Sequence, residues 1–152
     1  MKIYLDTSVL VAAITTETAT PAVQAWLGMH AAASLAISAW SVTELHSALA
    51  LKQRTGQIDP TERRIAHDSF TGLVRNNLVQ VAITGTSFAD AASLIDRSDR
   101  LRAGDALHLS IARQHGLVLA TLDQPFLRAA MALDAQAISP LMGPTPGVKL
   151  PL

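Results

Sequence analysis

Apolar residues along this chain fall into short β-like runs separated by longer stretches in which they recur every three or four positions. Ile3-Tyr4-Leu5 is the first run, and its abrupt end at Asp6, Thr7 and Ser8 reads as a central strand handing over to a short helix that begins near Ser8. A second helix opens about Thr20, with Pro21 in its first turn and Val23, Trp26 and Leu27 at helical spacing. Ser34 to Ser38 reads as the second strand. From Ala39 to Thr55, Val42, Leu45 and Leu49 share one stripe, and Gly56 stops the helix. Asp59 before Pro60 looks like the N-cap of a helix through Ile65, Phe70, Leu73 and Val74, closed at Asn76-Asn77. Beyond it the pattern predicts a third strand over 78–83, helices over 86–96 and 104–115, a fourth strand over 117–120, a last helix over 125–133 and an edge strand over 135–138.

Strands alternating with helices imply a sheet covered on both faces. The expected fold class is α/β, a three-layer α/β/α sandwich with a short-stranded, mainly parallel central sheet. Residues 1–138 form one domain in this reading. The tail, 139–152, holds four prolines and two glycines and is uncharged apart from Lys149, so it is expected to be an extended arm, loose or packed on a partner.

Composition narrows the function classes. At 152 residues with 49% hydrophobic residues, the chain suits one globular domain with a real core. Charged residues make up 16% and cancel, so this is no strongly basic nucleic-acid module. A nucleic-acid substrate stays open, because a metal held among carboxylates recruits phosphates itself. The absence of cysteine removes disulfide scaffolds, thiolate zinc sites and Cys nucleophiles, and suits the cytoplasm. An N-terminal apolar run cut by Asp6 is not read as a signal peptide, and no apolar stretch has the length of a membrane span.

Four acids fall at strand ends or helix starts: Asp6, Glu44, Asp105 and Asp123. Each has a plain structural use. Asp6 could cap the first helix, Ser41 to Glu44 matches a capping box, Asp105 complements a helix dipole, and Asp123 before Gln124-Pro125 could cap the last helix. Successive strand-to-helix junctions of a parallel sheet converge on one crevice, however, and no cap requires that convergence. Clustered carboxylates repel unless a cation compensates, and hard oxygen donors select Mg²⁺ or Mn²⁺. That chemistry is metal-assisted phosphodiester hydrolysis.

Leu5-Asp6-Thr7-Ser8, Ser38 through Glu44, Leu101 through His108 and Thr121 through Phe126 together resemble the PIN-domain ribonucleases, specifically the VapC-type toxins of bacterial toxin–antitoxin pairs, in register from Met1 to about Ile138. The resemblance implies a Mg²⁺- or Mn²⁺-dependent endoribonuclease acting on RNA, a homodimer, and a cognate antitoxin that inhibits it. On the matching positions, Asp6, Glu44, Asp105 and Asp123 look like the catalytic, metal-binding acids. Asp6 and Asp105 are the first metal ligands, Glu44 completes the shell or acts as base through water, and Asp123 supports a second ion. Thr7, Ser8 and Thr121 look like hydroxyls that orient them.

Arg97, Arg100 and Arg102 lead into Asp105 and are candidates for substrate phosphates, or else a solvated helix end. Lys52, Arg54, Arg63 and Arg64 read as a solvated face. His108 shares a helix face with Asp105 and is a secondary candidate, while Trp26, Trp40 and Phe70 are expected in the core or an interface. A receiver-like domain would want an acidic pair after the first strand and a Lys after a late one, and an Asp-nucleophile phosphatase a second acid where Ser8 stands; neither is present. A PIN fold kept as a binding or regulatory module without nuclease activity is the alternative.

Overall fold

The computed structural model describes residues 2–142. Its elements alternate as expected: β1 (Ile3–Leu5), α1 (Thr7–Ile14), α2 (Thr20–Gly28), β2 (Leu35–Ser38), α3 (Ala39–Arg54), α4 (Pro60–Asn77), β3 (Leu78–Val81), α5 (Gly85–Asp96), α6 (Ala103–Gln114), β4 (Val118–Ala120), α7 (Gln124–Ala132) and β5 (Ala137–Ile138). The five strands lie in the order β3-β2-β1-β4-β5. Every neighbouring pair is parallel, with Ile3 opposite Leu35 on one side and Val118 on the other. β1 is therefore the central strand. The chain winds outward from it to β3, then crosses back to β4, so the point where the winding reverses lies beside the end of β1, where open α/β sheets place their ligands.

Side chains alternate across the sheet with period two, and this builds both covering layers. Ile3, Leu5, Leu35, Ile37, Val118 and Ala120 point to one face, where they pack with residues of α1, α2, α3 and α4. Tyr4, Ala36 and Leu119 point to the other, against α5, α6 and α7. The result is the expected three-layer α/β/α sandwich. Fully buried strand side chains such as Ile3, Leu5, Ile37 and Leu119 each contribute roughly 1.5–3 kcal/mol by leaving water.

Helix ends follow local chemistry. Asp59 and Glu62 exchange side-chain-to-backbone bonds of 2.8 and 2.7 Å at the start of α4, a capping box with Pro60 at the first helical position. Gly56 and Gly116 follow α3 and α6 at φ +72° and +62°, where a side chain would be strained. One local reading is corrected: the capping box of α3 is Ser38 with Ser41, not Ser41 with Glu44. The helix starts directly after Ser38, which places Glu44 in its second turn. β3 stops at Val81 and β5 begins at Ala137, each shorter than the sequence pattern suggested. Of the tail, 143–152 lie outside the described residues, while Ser139 and Pro140 are buried against the domain.

Candidate active site

Asp6 leaves the central strand at its carboxyl end and is 6% exposed. It occupies the N-cap position of α1, yet its side chain makes no capping bond. Its carboxylate turns toward two hydroxyls instead: Thr121 Oγ1 donates to Oδ2 at 2.7 Å, and Ser8 Oγ donates to the same oxygen. Each donor is itself fixed by the backbone after β4, Ser8 accepting from Leu122 N at 3.0 Å and Thr121 from Asp123 N at 3.0 Å. β1 and β4 are sheet neighbours, so their carboxyl ends hold one carboxylate between them.

Glu44 reaches the same crevice from α3. Its Oε2 accepts from Thr7 Oγ1 at 2.8 Å and lies 2.6 Å from His108 Nε2. Burial alone would raise this carboxyl; the hydrogen bond and charge of His108, with the Thr7 hydroxyl, outweigh it and leave Glu44 below its ordinary range. His108 Nε2 is also 3.5 Å from Asp6 Oδ1. On its other side His108 Nδ1 lies 2.9 Å from Tyr4 Oη, which is 2.7 Å from Ser38 Oγ and 3.2 Å from Ser41 Oγ. Burial, only partly offset by those serines, pushes the Tyr4 phenol to about 12, so it stays neutral.

Asp105 sits in the first turn of α6, half-exposed. Its carboxyl is raised first by burial, then by the charge of Asp6, with Asp123 adding to the effect, against a backbone hydrogen bond from Arg102. Asp123 is the exposed N-cap of α7, accepting from Phe126 N at 2.9 Å. Its capping use is thus real, and it also lies within electrostatic reach of Asp105. All four acids gather at the carboxyl edge of the sheet.

Gly104 makes that gathering possible. A Cβ there would come within 2.5 Å of Glu44 Oε1 and 3.6 Å of Trp40, so α6 approaches α3 as closely as only glycine allows. Trp40 packs against the second core layer, as its stripe suggested, but its indole Nε1 is sealed from water with no hydrogen-bond partner among the described residues.

The donor set suits a hard divalent cation. Oxygens of Asp6 and Glu44 and a nitrogen of His108 lie within 4.8 Å of one another. Asp105 is raised first by burial and then by the charge of Asp6, and Mg²⁺ or Mn²⁺ would relieve the second of these. Asp6 and Glu44 could hold such an ion beside His108, with Asp105 within electrostatic reach of Asp6 and Asp123 within reach of Asp105.

Arg97 and Arg100 line a pocket of about 410 Å³ between the α5–α6 connection and α7, together with Arg128. Arg102 is not part of it; it is the N-cap residue of α6. Arg128 was missed by sequence reasoning because it lies on a different helix from the 97–102 run. The other basic cluster is largely committed: Lys52 pairs with Glu17 at 2.7 Å, Arg63 bonds Gln53 and Arg64 bonds Asp68. His46 and His67, unpaired in any sequence pattern, stack with ring centres 4.4 Å apart.

An all-parallel sandwich with acids converging at the carboxyl ends of its strands defines a class of carboxylate-centred α/β proteins. The PIN domain family matches residues 3–131, and the chain belongs to that family. No match is found among the curated proteins. Among solved structures, the chain is similar to FitAcB from Neisseria gonorrhoeae, at 24% identity and a TM-score of 0.67 over 91% of this chain and 97% of that one. It is also similar to Mycobacterium tuberculosis VapC20, a Sarcin-Ricin loop cleaving toxin, at 16% identity and a TM-score of 0.67 over 84% and 95% of the two chains. VapBC2 from Rickettsia felis, bound to a promoter DNA fragment, gives 15% identity and a TM-score of 0.63 over 91% and 98%. At such identities the likeness is one of fold. No helix among the described residues is long and apolar enough to cross a membrane.

Proposed function

We propose that this chain is a divalent-metal-dependent endoribonuclease acting as the toxin of a toxin–antitoxin pair. The observation that carries the reading is the meeting of Asp6 and Glu44 beside His108, with Asp105 within electrostatic reach of Asp6, a costly arrangement of like charges that folding does not need. Membership of the PIN domain family supports the nuclease, and the fold it shares with toxin–antitoxin proteins supports the antitoxin partner. A cytoplasmic homodimer is the assembly that goes with this reading.

Mg²⁺ or Mn²⁺, when bound, supplies charge to orient a phosphodiester and to make water a stronger nucleophile near neutral pH. The chain's own residues do the rest. Asp6 and Asp105 would hold the ion, and Glu44 would complete its shell or take a proton from the attacking water. Asp123 steadies the outer rim. Thr7, Ser8 and Thr121 keep the carboxylates from rotating. Arg97 and Arg100, joined by Arg128 in a pocket that Asp96 and Asp99 also line, hold backbone phosphates of the RNA, with Arg102 at the start of α6.

Mapping 5′ ends of cellular RNA after a short pulse of expression tests this reading. New ends should accumulate with the wild-type chain and vanish with Asp6→Ala or Asp105→Asn. A folded Asp6→Ala protein that still cleaves RNA with Mg²⁺ overturns the assignment. No variant-sensitive cleavage, with no metal-dependent stabilisation, supports the binding-module alternative.

A further inference from the structure

We propose that Tyr4 and His108 are positioning residues, a buried hydrogen-bonded post that fixes the Glu44 carboxylate beside Asp6 and so sets how tightly the site takes up a divalent cation. The inference rests on the nuclease reading above.

Glu44 needs such a post. Its side chain is long, it comes from the second turn of a helix rather than a strand end, and it must meet Asp6 from a different element. Oε2 is held twice, by Thr7 at 2.8 Å and by His108 at 2.6 Å. Oε1 is the oxygen that lies over Gly104, with the Trp40 indole nearby also helping to lower the Glu44 carboxyl. Oε2 is therefore the anchored oxygen of the pair.

His108 belongs to the support more than to the ion. Its ring is 1% exposed and both nitrogens are committed, Nε2 to Glu44 and Nδ1 to Tyr4 Oη at 2.9 Å. Ligating a metal through Nε2 would cost it Glu44. Tyr4 is in turn fixed by Ser38 and Ser41, the capping-box pair that starts α3. The path runs from the start of α3 through Tyr4 of β1 and His108 of α6 to Glu44 of α3, and so ties together the three elements that carry Asp6, Glu44 and Asp105. A core polar network of this kind is favourable only when every member is satisfied, and here each one is.

Mn²⁺ affinity, measured by titration calorimetry or by loss of the free-ion paramagnetic resonance signal, separates the roles. Gln at 108 can place an amide nitrogen near the Nε2 position, while Asn reaches only the Nδ1 position. His108→Asn should weaken Mn²⁺ binding about 10- to 100-fold, the effect typical of groups that orient metal ligands, and His108→Gln should restore most of it. Tyr4→Phe, which removes a single oxygen, should weaken binding less than His108→Asn, in the same direction. In RNA cleavage at subsaturating Mn²⁺, kcat should fall by more than KM for RNA rises, because Arg97, Arg100 and Arg128 supply RNA contacts apart from the ion. Metal-free melting curves report folding, and should His108→Asn not fold, Tyr4→Phe carries the test. Unchanged Mn²⁺ affinity in both His108→Asn and Tyr4→Phe overturns the proposal, as does a His108→Gln protein as weak as His108→Asn, which would make His108 a direct ligand. A wild-type protein that takes up no Mn²⁺ fails the nuclease reading itself; normal wild-type binding with unaffected variants fails this inference alone.

Discussion

Gly104→Ala isolates the geometry of the site from the stability of the fold. In most helices this change adds up to about 1 kcal/mol of stability through backbone propensity. Here the new methyl would sit 2.5 Å from Glu44 Oε1, and an ordinary carbon–oxygen contact of about 3.4 Å requires the carboxylate to retreat by about 0.9 Å. The free end of a glutamate would move at little cost, but this one is held at 2.8 Å by Thr7 and at 2.6 Å by His108. A retreat of that size breaks or bends at least one charge-assisted bond, each worth about 1.5–3 kcal/mol. Propensity offsets part of this, so the folded state should lose no more than about 2 kcal/mol. Cleavage should suffer more, because a displacement near 1 Å in a catalytic constellation typically reduces rate about 100-fold. Gly85→Ala at the start of α5, where an added Cβ meets nothing within 4 Å, is the control for propensity. The assay pairs RNA-cleavage kinetics in Mn²⁺ with urea unfolding of the metal-free protein. Glu44→Ala in the same chain removes the clash, so the stability cost of Gly104→Ala should disappear in the double variant. A Gly104→Ala protein that cleaves RNA like wild type refutes the close approach of α6 to Glu44 as a requirement of the site.

Three further outcomes follow from the same geometry. At 100 times its dissociation constant, Mn²⁺ should stabilise the wild-type protein by about 2.7 kcal/mol, a melting shift of roughly 5–11 °C, and Asp6→Asn should abolish the shift in a thermal scan. Arg128→Ala should raise KM for RNA with kcat unchanged and reduce the slope of log affinity against log salt by roughly 0.7 per lost phosphate contact; an unaltered slope in filter binding removes Arg128 from the substrate surface. Asp105 and Glu44 should pull metal-free stability in opposite directions with pH. The Asp105 pKa, raised first by burial and then by Asp6, makes the folded state the better proton acceptor, so its contribution grows as pH falls through that raised value. Glu44, lowered by His108 and Thr7 against its own burial, contributes stability above the unfolded carboxyl pKa that is lost as pH falls through its folded one. Asp105→Asn should remove the first dependence and keep the second in acid-unfolding curves, and Mn²⁺ binding by wild type should begin to weaken at a pH above the ordinary aspartate range.

Much of the fold was legible because its signals are local. The unbroken apolar run Ile3-Tyr4-Leu5, the Asp59-Pro60 start of α4, and the glycines after α3 and α6 each act within a few residues, and each element formed where they pointed. The site was legible only in part, because its decisive interactions join residues far apart in the chain. Ser38 and Ser41 are both hydroxyl residues three positions apart, as Ser41 and Glu44 are a hydroxyl and an acid, so the local pattern supports either capping box. Pairing of Ser38 with Val81 keeps the strand extended through Ser38 and fixes the register of α3, and that register delivers Glu44 to the crevice. His108 showed locally only as a helix-face neighbour of Asp105; its tie to Tyr4, 104 residues away, carries no local signal.

Asp6 and Asp123 show why local reading stops where it does. Both stand at an N-cap position, both precede a helix, and a sequence window cannot separate them. Asp123 spends an oxygen on Phe126 N and stays exposed, so capping explains much of it and its part in the site is marginal. Asp6 caps nothing, is nearly sealed from water, and is satisfied by hydroxyls from its own helix and from the strand beside it. A buried carboxylate fed by two hydroxyl donors and placed within reach of Asp105 costs the fold desolvation and repulsion that an exposed cap avoids. That difference in cost, invisible in the sequence and plain in the packing, sets Asp6 apart from an ordinary cap and makes it the centre of the proposed metal site.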